Sequence, residues 1–353
     1  MEGNGTFKSV KGKIYEGYFK NTKFYGIGTF YWPNGSIYNG SWVDSKREGE
    51  GKMYYGKDRN SNYYEGNWTK GKKEGNGTFV YLNGSIYNGF WVKDKREGEG
   101  KMFYGKDRNT NYYDGNWKND TKEGNGTFIY PNGEKYYGEW KNDKREGSGT
   151  FVYLNGSIYN GFWVKDKKEG EGKMYFGKDR NTNFYDNNWK NDIKEGNGTF
   201  VYPNGESYYG EWKNDKGEGN GTFVYLNGSI YNGFWVKDKR EGNGKMFYGK
   251  DRNTNYYDGD WKNDIKEGNG TFVYPNGESY YGDCENDKRQ GTGKLKYSDG
   301  YIYIGGWKND KREGKGEVKG EKGYEGNFKD DLYKYDKYWF KLEYLINRPH
   351  DGY

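Results

Sequence analysis

Along most of the chain, apolar and polar residues alternate at every second position. In Tyr64-Glu65-Gly66-Asn67-Trp68 the tyrosine, glycine and tryptophan are two apart, with Glu65 and Asn67 between them. In an extended strand residues two apart share one face. The next stretch repeats the pattern: Gly75, Gly77, Phe79 and Tyr81 fall on one side, Asn76, Thr78 and Val80 on the other. One face of rings and glycines and one mostly polar face mark a half-buried antiparallel strand, not a helix. A glycine beside a ring leaves bare backbone on which a neighbouring ring can lie.

The pattern is periodic. A Tyr-x-Gly-x-Trp frame begins at residues 15, 38, 64, 87, 113, 136, 159, 185, 208, 231, 257, 280, 303 and 324, which makes fourteen units. Its fifth slot is Phe at Phe19 and Phe328 and Cys at Cys284, and Asn187 stands where Gly is expected. A second frame, typified by Gly124-Asn125-Gly126-Thr127-Phe128, follows each of the first thirteen. Such self-similarity signals a repeat architecture. The positions that carry it are Tyr64, Gly66, Trp68, Gly75 and Gly77 in one unit, with Tyr113, Gly115, Trp117, Gly124, Gly126, Tyr136, Gly138 and Trp140 in two others. Turns alternate between charged stretches such as Lys118-Asn119-Asp120-Thr121 and Asn-Gly turns such as Tyr130-Pro131-Asn132-Gly133. Asn-Gly tolerates the positive φ of tight hairpins. Above the small period, three blocks of 72 residues starting at Tyr87, Tyr159 and Tyr231 are nearly identical.

After Phe328 the pattern breaks. Leu332, Tyr335, Trp339, Leu342 and Ile346 step by three and four, which is one stripe of an amphipathic helix. Asp330 or Asp331 would cap it and Pro349 would stop it, so a helix is expected over about 331–347. The chain thus divides into an array, residues 1–328, and a capping or docking helix with its tail, residues 329–353.

The two frames in register resemble the MORN repeat (membrane occupation and recognition nexus), over roughly residues 3 to 328. The resemblance implies an all-β fold: an elongated, single-layer, twisted antiparallel sheet of stacked hairpins. With about twenty-eight strands at ~4.8 Å each, such a rod would be ~130 Å long, with broad faces and no pocket. The family is associated with scaffolds, cytoskeletal and ciliary assemblies, membrane tethering and appended enzyme domains.

Composition sharpens this. Aromatic residues are 21% of the chain and all hydrophobic residues only 31%, too little aliphatic side chain for a thick globular core. Net charge is +6 on 58 bases and 52 acids, which sit together in nearly every unit, as in Lys141-Asn142-Asp143-Lys144-Arg145-Glu146. Nucleic-acid binding would call for bases gathered on one stripe, so no nucleic-acid partner is expected. There is no long apolar run and hence no expected transmembrane segment. Met1-Glu2-Gly3-Asn4-Gly5 enters the repeat at once and does not read as a signal peptide. With one cysteine no internal disulfide can form, and a cytoplasmic setting is expected.

Catalytic ingredients are scarce. Gly-x-Gly recurs between strands, where a dinucleotide loop needs a helix after it. Asp107-x-Asn109-x-Asn111 matches the first positions of a calcium loop, but Tyr112 and Lys118 stand where Gly and Glu belong. His350 is the one histidine and Cys284 has no activating neighbour in sequence. No enzyme, cofactor or metal is expected. The function that follows is a structural scaffold or spacer making protein–protein contacts in a cytoskeletal assembly, ciliary or axonemal, with self-association among its options. The alternatives are a peripheral tether binding acidic phospholipid, for which Lys93-Asp94-Lys95-Arg96 is the motif, or an accessory subunit docked through the helix around Trp339.

Overall fold

A computed structural model describes residues 2–341 apart from 61, 107–109, 179, 251, 322 and 336. Among the described residues there are thirty strands and no helix. The chain forms two compact units, Met1–Lys178 and Asp179–Tyr353. In the first, the strands from Gly3–Lys8 to Lys167–Tyr175 each pair antiparallel with the next in sequence. In the second, the same holds from Phe184–Lys190 to Tyr338–Lys341. Each unit is therefore a meander in which every pairing is local.

Register follows from the glycines. In strands Tyr112–Lys118 and Thr121–Ile129, Gly115 pairs with Gly126 and Tyr113 with Phe128. On its other side Gly126 pairs with Gly138 of the next unit. Main chain thus faces main chain across successive ladders, and the flanking tyrosine ring lies over the gap. Between Gly115 and Trp117 the hairpin carries a bulge. Gly124 absorbs it at φ 66°, a conformation disfavoured by any side chain. The first glycine of the second frame is thus a backbone requirement and the second is a space requirement.

Positive φ falls elsewhere than the Asn-Gly reading implies. In Tyr130-Pro131-Asn132-Gly133 only Gly133 has it, at 92°, while Asn132 Oδ1 accepts the N–H of Glu134 at 3.1 Å. The two-residue turns with positive φ at both positions are the charged ones, such as Asn119 (49°) and Asp120 (72°). That is the mirror-image turn whose twist suits an antiparallel hairpin.

The C-terminal helix is not seen. Asp330 (φ 49°) and Asp331 (φ 69°) make the same two-residue turn as every other unit, and do not cap a helix. Leu332–Tyr335 and Tyr338–Lys341 are strands, the first pairing back onto Tyr324–Lys329 through Phe328 and Tyr333. Aromatic residues favour strands, and the free edge of Tyr324–Lys329 offers them a ladder at once. Leu342 and Ile346 lie outside the described residues, as does His350.

Candidate binding surface

The sequence-predicted repeat residues come together as a continuous buried ladder. Tyr64, Tyr113 and Tyr136 are fully buried, and Trp68, Trp117 and Trp140 nearly so. Tyr113 meets Trp117 of its own strand edge-to-face at 5.1 Å and Trp140 of the following unit at 5.5 Å. Every buried polar atom of this set has a partner. The Tyr113 hydroxyl donates to the carbonyl of Asn116 at 3.0 Å, and Trp117 Nε1 donates to the carbonyl of Gly100 at 2.9 Å. The same pair of bonds recurs from Tyr64 to Asn67 and Trp68 to Gly51, and from Tyr136 to Glu139 and Trp140 to Gly126. Burial pushes these phenols well above the usual range, so they stay neutral and serve no acid–base role.

A layer of cations closes the ladder. Arg96 lies with its guanidinium carbon 4.1 Å from the Trp117 ring, and Lys122 lies 4.5 Å over Trp140. Arg96 is also fixed at its far end. Its Nε donates to Asp120 Oδ1 at 3.2 Å and its Nη2 to the Asp120 carbonyl at 2.6 Å. Asp120 Oδ1 accepts the main-chain N–H of Arg96 as well, and Glu97 accepts the N–H of Asn119. Each tight turn is therefore held by the unit before it. The Lys-rich turns that sequence offers as a lipid motif spend Arg96 on an indole ring rather than on solvent.

The outward face is less polar than the alternation implies. Phe90, Phe162 and Phe234 stand at corresponding places in the three 72-residue blocks, 41–46% exposed. Beside each an asparagine accepts a bond from a threonine hydroxyl on the preceding strand: Asn88 from Thr78, Asn160 from Thr150 and Asn232 from Thr222. An open depression of about 590 Å³ lies at one such place, lined by Ser148, Thr150, Asn160, Phe162 and Glu171. A second, about 440 Å³, is lined by Ile304, Lys315, Glu317, Glu325 and Asn327. Each compact unit thus carries a shallow, open hollow on its outward side. The aromatic at this outward slot is invisible to a repeat frame that fixes only the inward positions.

The MORN repeat family matches thirteen successive segments of this chain, the first at 15–37 and the last at 303–323. The chain belongs to the MORN-repeat family. A fourteenth frame, at Tyr324, falls outside the matched segments. MORN repeats are in general non-catalytic structural modules. No curated protein matches the chain. Among solved structures, the TCP10c domain of Drosophila melanogaster Sas-4 is 16% identical, with 47% of this chain and 99% of that one covered at a TM-score of 0.28. The TCP10 domain of Danio rerio CPAP, solved with a peptide of Danio rerio STIL, is 10% identical over 92% and 97% of the two chains, at a TM-score of 0.16. At those scores neither likeness bears on arrangement or role.

The two broken MORN slots are distinct in kind. Asn187 keeps the strand but sits at φ 128°, because a Cβ in this slot points into the backbone of the partner strand. Cys284 takes the place of an indole, and Phe272 has turned into the space, 4.5 Å from Tyr257. Burial pushes the Cys284 thiol up to about 11, so it is a packing residue and no nucleophile. Among the described residues no group of three or more His, Cys, Asp or Glu could hold a metal. At Asp58, Oδ1 accepts the N–H of Asn60 at 2.9 Å, an Asx turn, while Asp107 and Asn109 lie outside the described residues. No helix among the described residues is long and apolar enough to cross a membrane. The stripe Leu332, Tyr335 and Trp339 is split between two strands and forms no helical docking face.

Proposed function

We propose that this MORN-repeat chain is a non-catalytic scaffold that binds protein partners through its outward face, in a cytoskeletal and ciliary assembly. The observation that supports this reading most directly is the outward Phe–Asn–Thr site, present at Phe90, Phe162 and Phe234. Equivalent contact points on one chain raise avidity for a repeating partner. The cytoskeletal setting comes from family membership. Self-association through the same face belongs to this reading.

Proximity labelling in the native cell, followed by crosslinking, tests it. Labelled filament or axonemal proteins, crosslinked near Phe90, Phe162 or Phe234, are the expected result. A labelled set made up of soluble metabolic enzymes would reject the scaffold. Flotation with anionic liposomes at moderate salt is the parallel arm, and co-flotation would favour the membrane tether instead.

A further inference from the structure

One position breaks the cation layer. Of the thirteen residues that follow the tight turns and lead into the second frame, eleven are Arg or Lys and Phe24 fills one with its ring. The remaining one is Gly217. Its counterparts 72 residues away on either side are Arg145 and Arg289. Arg145 lies 5.8, 5.1 and 4.1 Å from the rings of Tyr136, Phe151 and Trp163, and its Nε and Nη2 donate to Oδ1 and the carbonyl of Asp166 at 3.2 and 2.7 Å. Arg289 makes the same bonds to Asp310, at 3.3 and 2.7 Å.

Around Gly217 the walls of that cage are kept. Tyr208 and Trp235 stand 5.4 Å apart at 87°, against 5.6 Å and 86° for Tyr136 and Trp163. Phe223 and Trp235 are 6.1 Å apart, as are Phe151 and Trp163. Asp238 occupies the place of Asp166, with Oδ1 accepting the Gly217 N–H at 2.7 Å. Among the described residues it has no ion-pair partner, whereas Asp166 and Asp310 both do. Lys194, whose charge Asp238 feels, is held in its own cage 4.6 Å over Trp212. Tyr208 is 3% exposed, against 0% for Tyr136 and Tyr280 at the same place in the flanking blocks.

We propose that the cage at Gly217 binds a guanidinium group, presented as an arginine side chain by a partner protein. The chemistry is defined by the neighbouring copies. Three ring faces attract a cation, and a carboxylate beside a main-chain carbonyl matches the two-pronged guanidinium fork seen at Arg145 and Arg289, whereas the lysines that fill this place in other units, such as Lys122 and Lys194, bring a single ammonium head. The proposal rests on the scaffold reading only for the source of the arginine; the site itself does not.

Saturation-transfer NMR on the full chain tests it, with N-ethylguanidinium and a capped Gly-Arg-Gly peptide as probes. Both probes are expected to receive saturation from the wild-type protein and to lose it with Gly217→Arg, which supplies the missing side chain internally. That variant is expected to fold, since Gly217 has no positive φ and a Cβ there lies 3.3 Å from Tyr208 Cζ, which a small ring shift accommodates. Asp238→Asn keeps the rings and is expected to weaken binding about tenfold. Equal saturation of wild type and Gly217→Arg, or no saturation of either probe by wild type, overturns the site. Binding of N-ethylguanidinium without the peptide overturns the partner arginine in favour of a small free cation, and leaves the scaffold reading untouched.

Discussion

A buried indole in this fold has three duties at once: it packs edge-to-face between the frame tyrosines of its own and the preceding unit, bonds a carbonyl of the previous unit and carries a cation on its face. Trp117 does all three, so Trp117→Ala should cost about 3–5 kcal/mol in chemical denaturation. Loss of less than about 1 kcal/mol would show that the ladder does not depend on single rings. Asn187 is the converse case. Its φ of 128° is strained for any residue but glycine, and Asn187→Gly should stabilise the second unit by about 1–2 kcal/mol in the same assay. Both effects could be anticipated in kind from the frame, since the ring and the glycine are written there. That Phe272 would turn into the space beside Cys284 could not, because it depends on which neighbour has room to move.

At the scale of the element, the tight turn couples one hairpin to the one before it. Asp120 adopts positive φ at a local cost and is held there by bonds to Arg96. Asp120→Ala removes the acceptor and keeps the cost, so a loss of about 1–3 kcal/mol is expected in thermal or urea unfolding. An unchanged midpoint would mean that the main-chain bond from Asp120 to Arg96 suffices. The tail teaches the same lesson. Leu332, Tyr335 and Trp339 have helical spacing, yet Asp330-Asp331 is another charged two-residue turn and the far edge of Tyr324–Lys329 lies beside it. Spacing reports which residues could share a helical face, while the neighbouring edge decides whether a helix or a ladder forms.

For each compact unit as a whole, stability comes from many buried phenols and should fail together at high pH. Burial pushes Tyr38, Tyr55 and Tyr104 up to about 12 from an ordinary value of 10.0. A phenol held up in this way stays neutral in the fold after the unfolded chain has ionised. Its contribution is full below pH 10 and is lost as pH rises through about 12. Tyrosinate absorbance and circular dichroism should therefore change together above pH 10; phenols titrating at their ordinary value with the strands intact would refute it. Because, among the described residues, every pairing within the first unit is between strands adjacent in sequence, removal of one 72-residue block, 87–158, should leave a folded, shorter protein with unchanged strand signal per residue. Collapse of that variant would reveal long-range dependence that the pairing does not contain.

Strand direction, unit boundaries, the inward set of rings and the family were all legible in the chain, because period two and a rigid frame leave one way to bury the rings. The outward phenylalanines, the strand pairing of the tail and the cage around Gly217 were decided only in three dimensions. The break in the Arg and Lys series is visible as letters, but its meaning lies in Tyr208, Phe223, Trp235 and Asp238, which are brought around one point by two successive hairpins. A vacancy has no sequence of its own; it exists only once the residues that would surround a side chain have been folded into place without it.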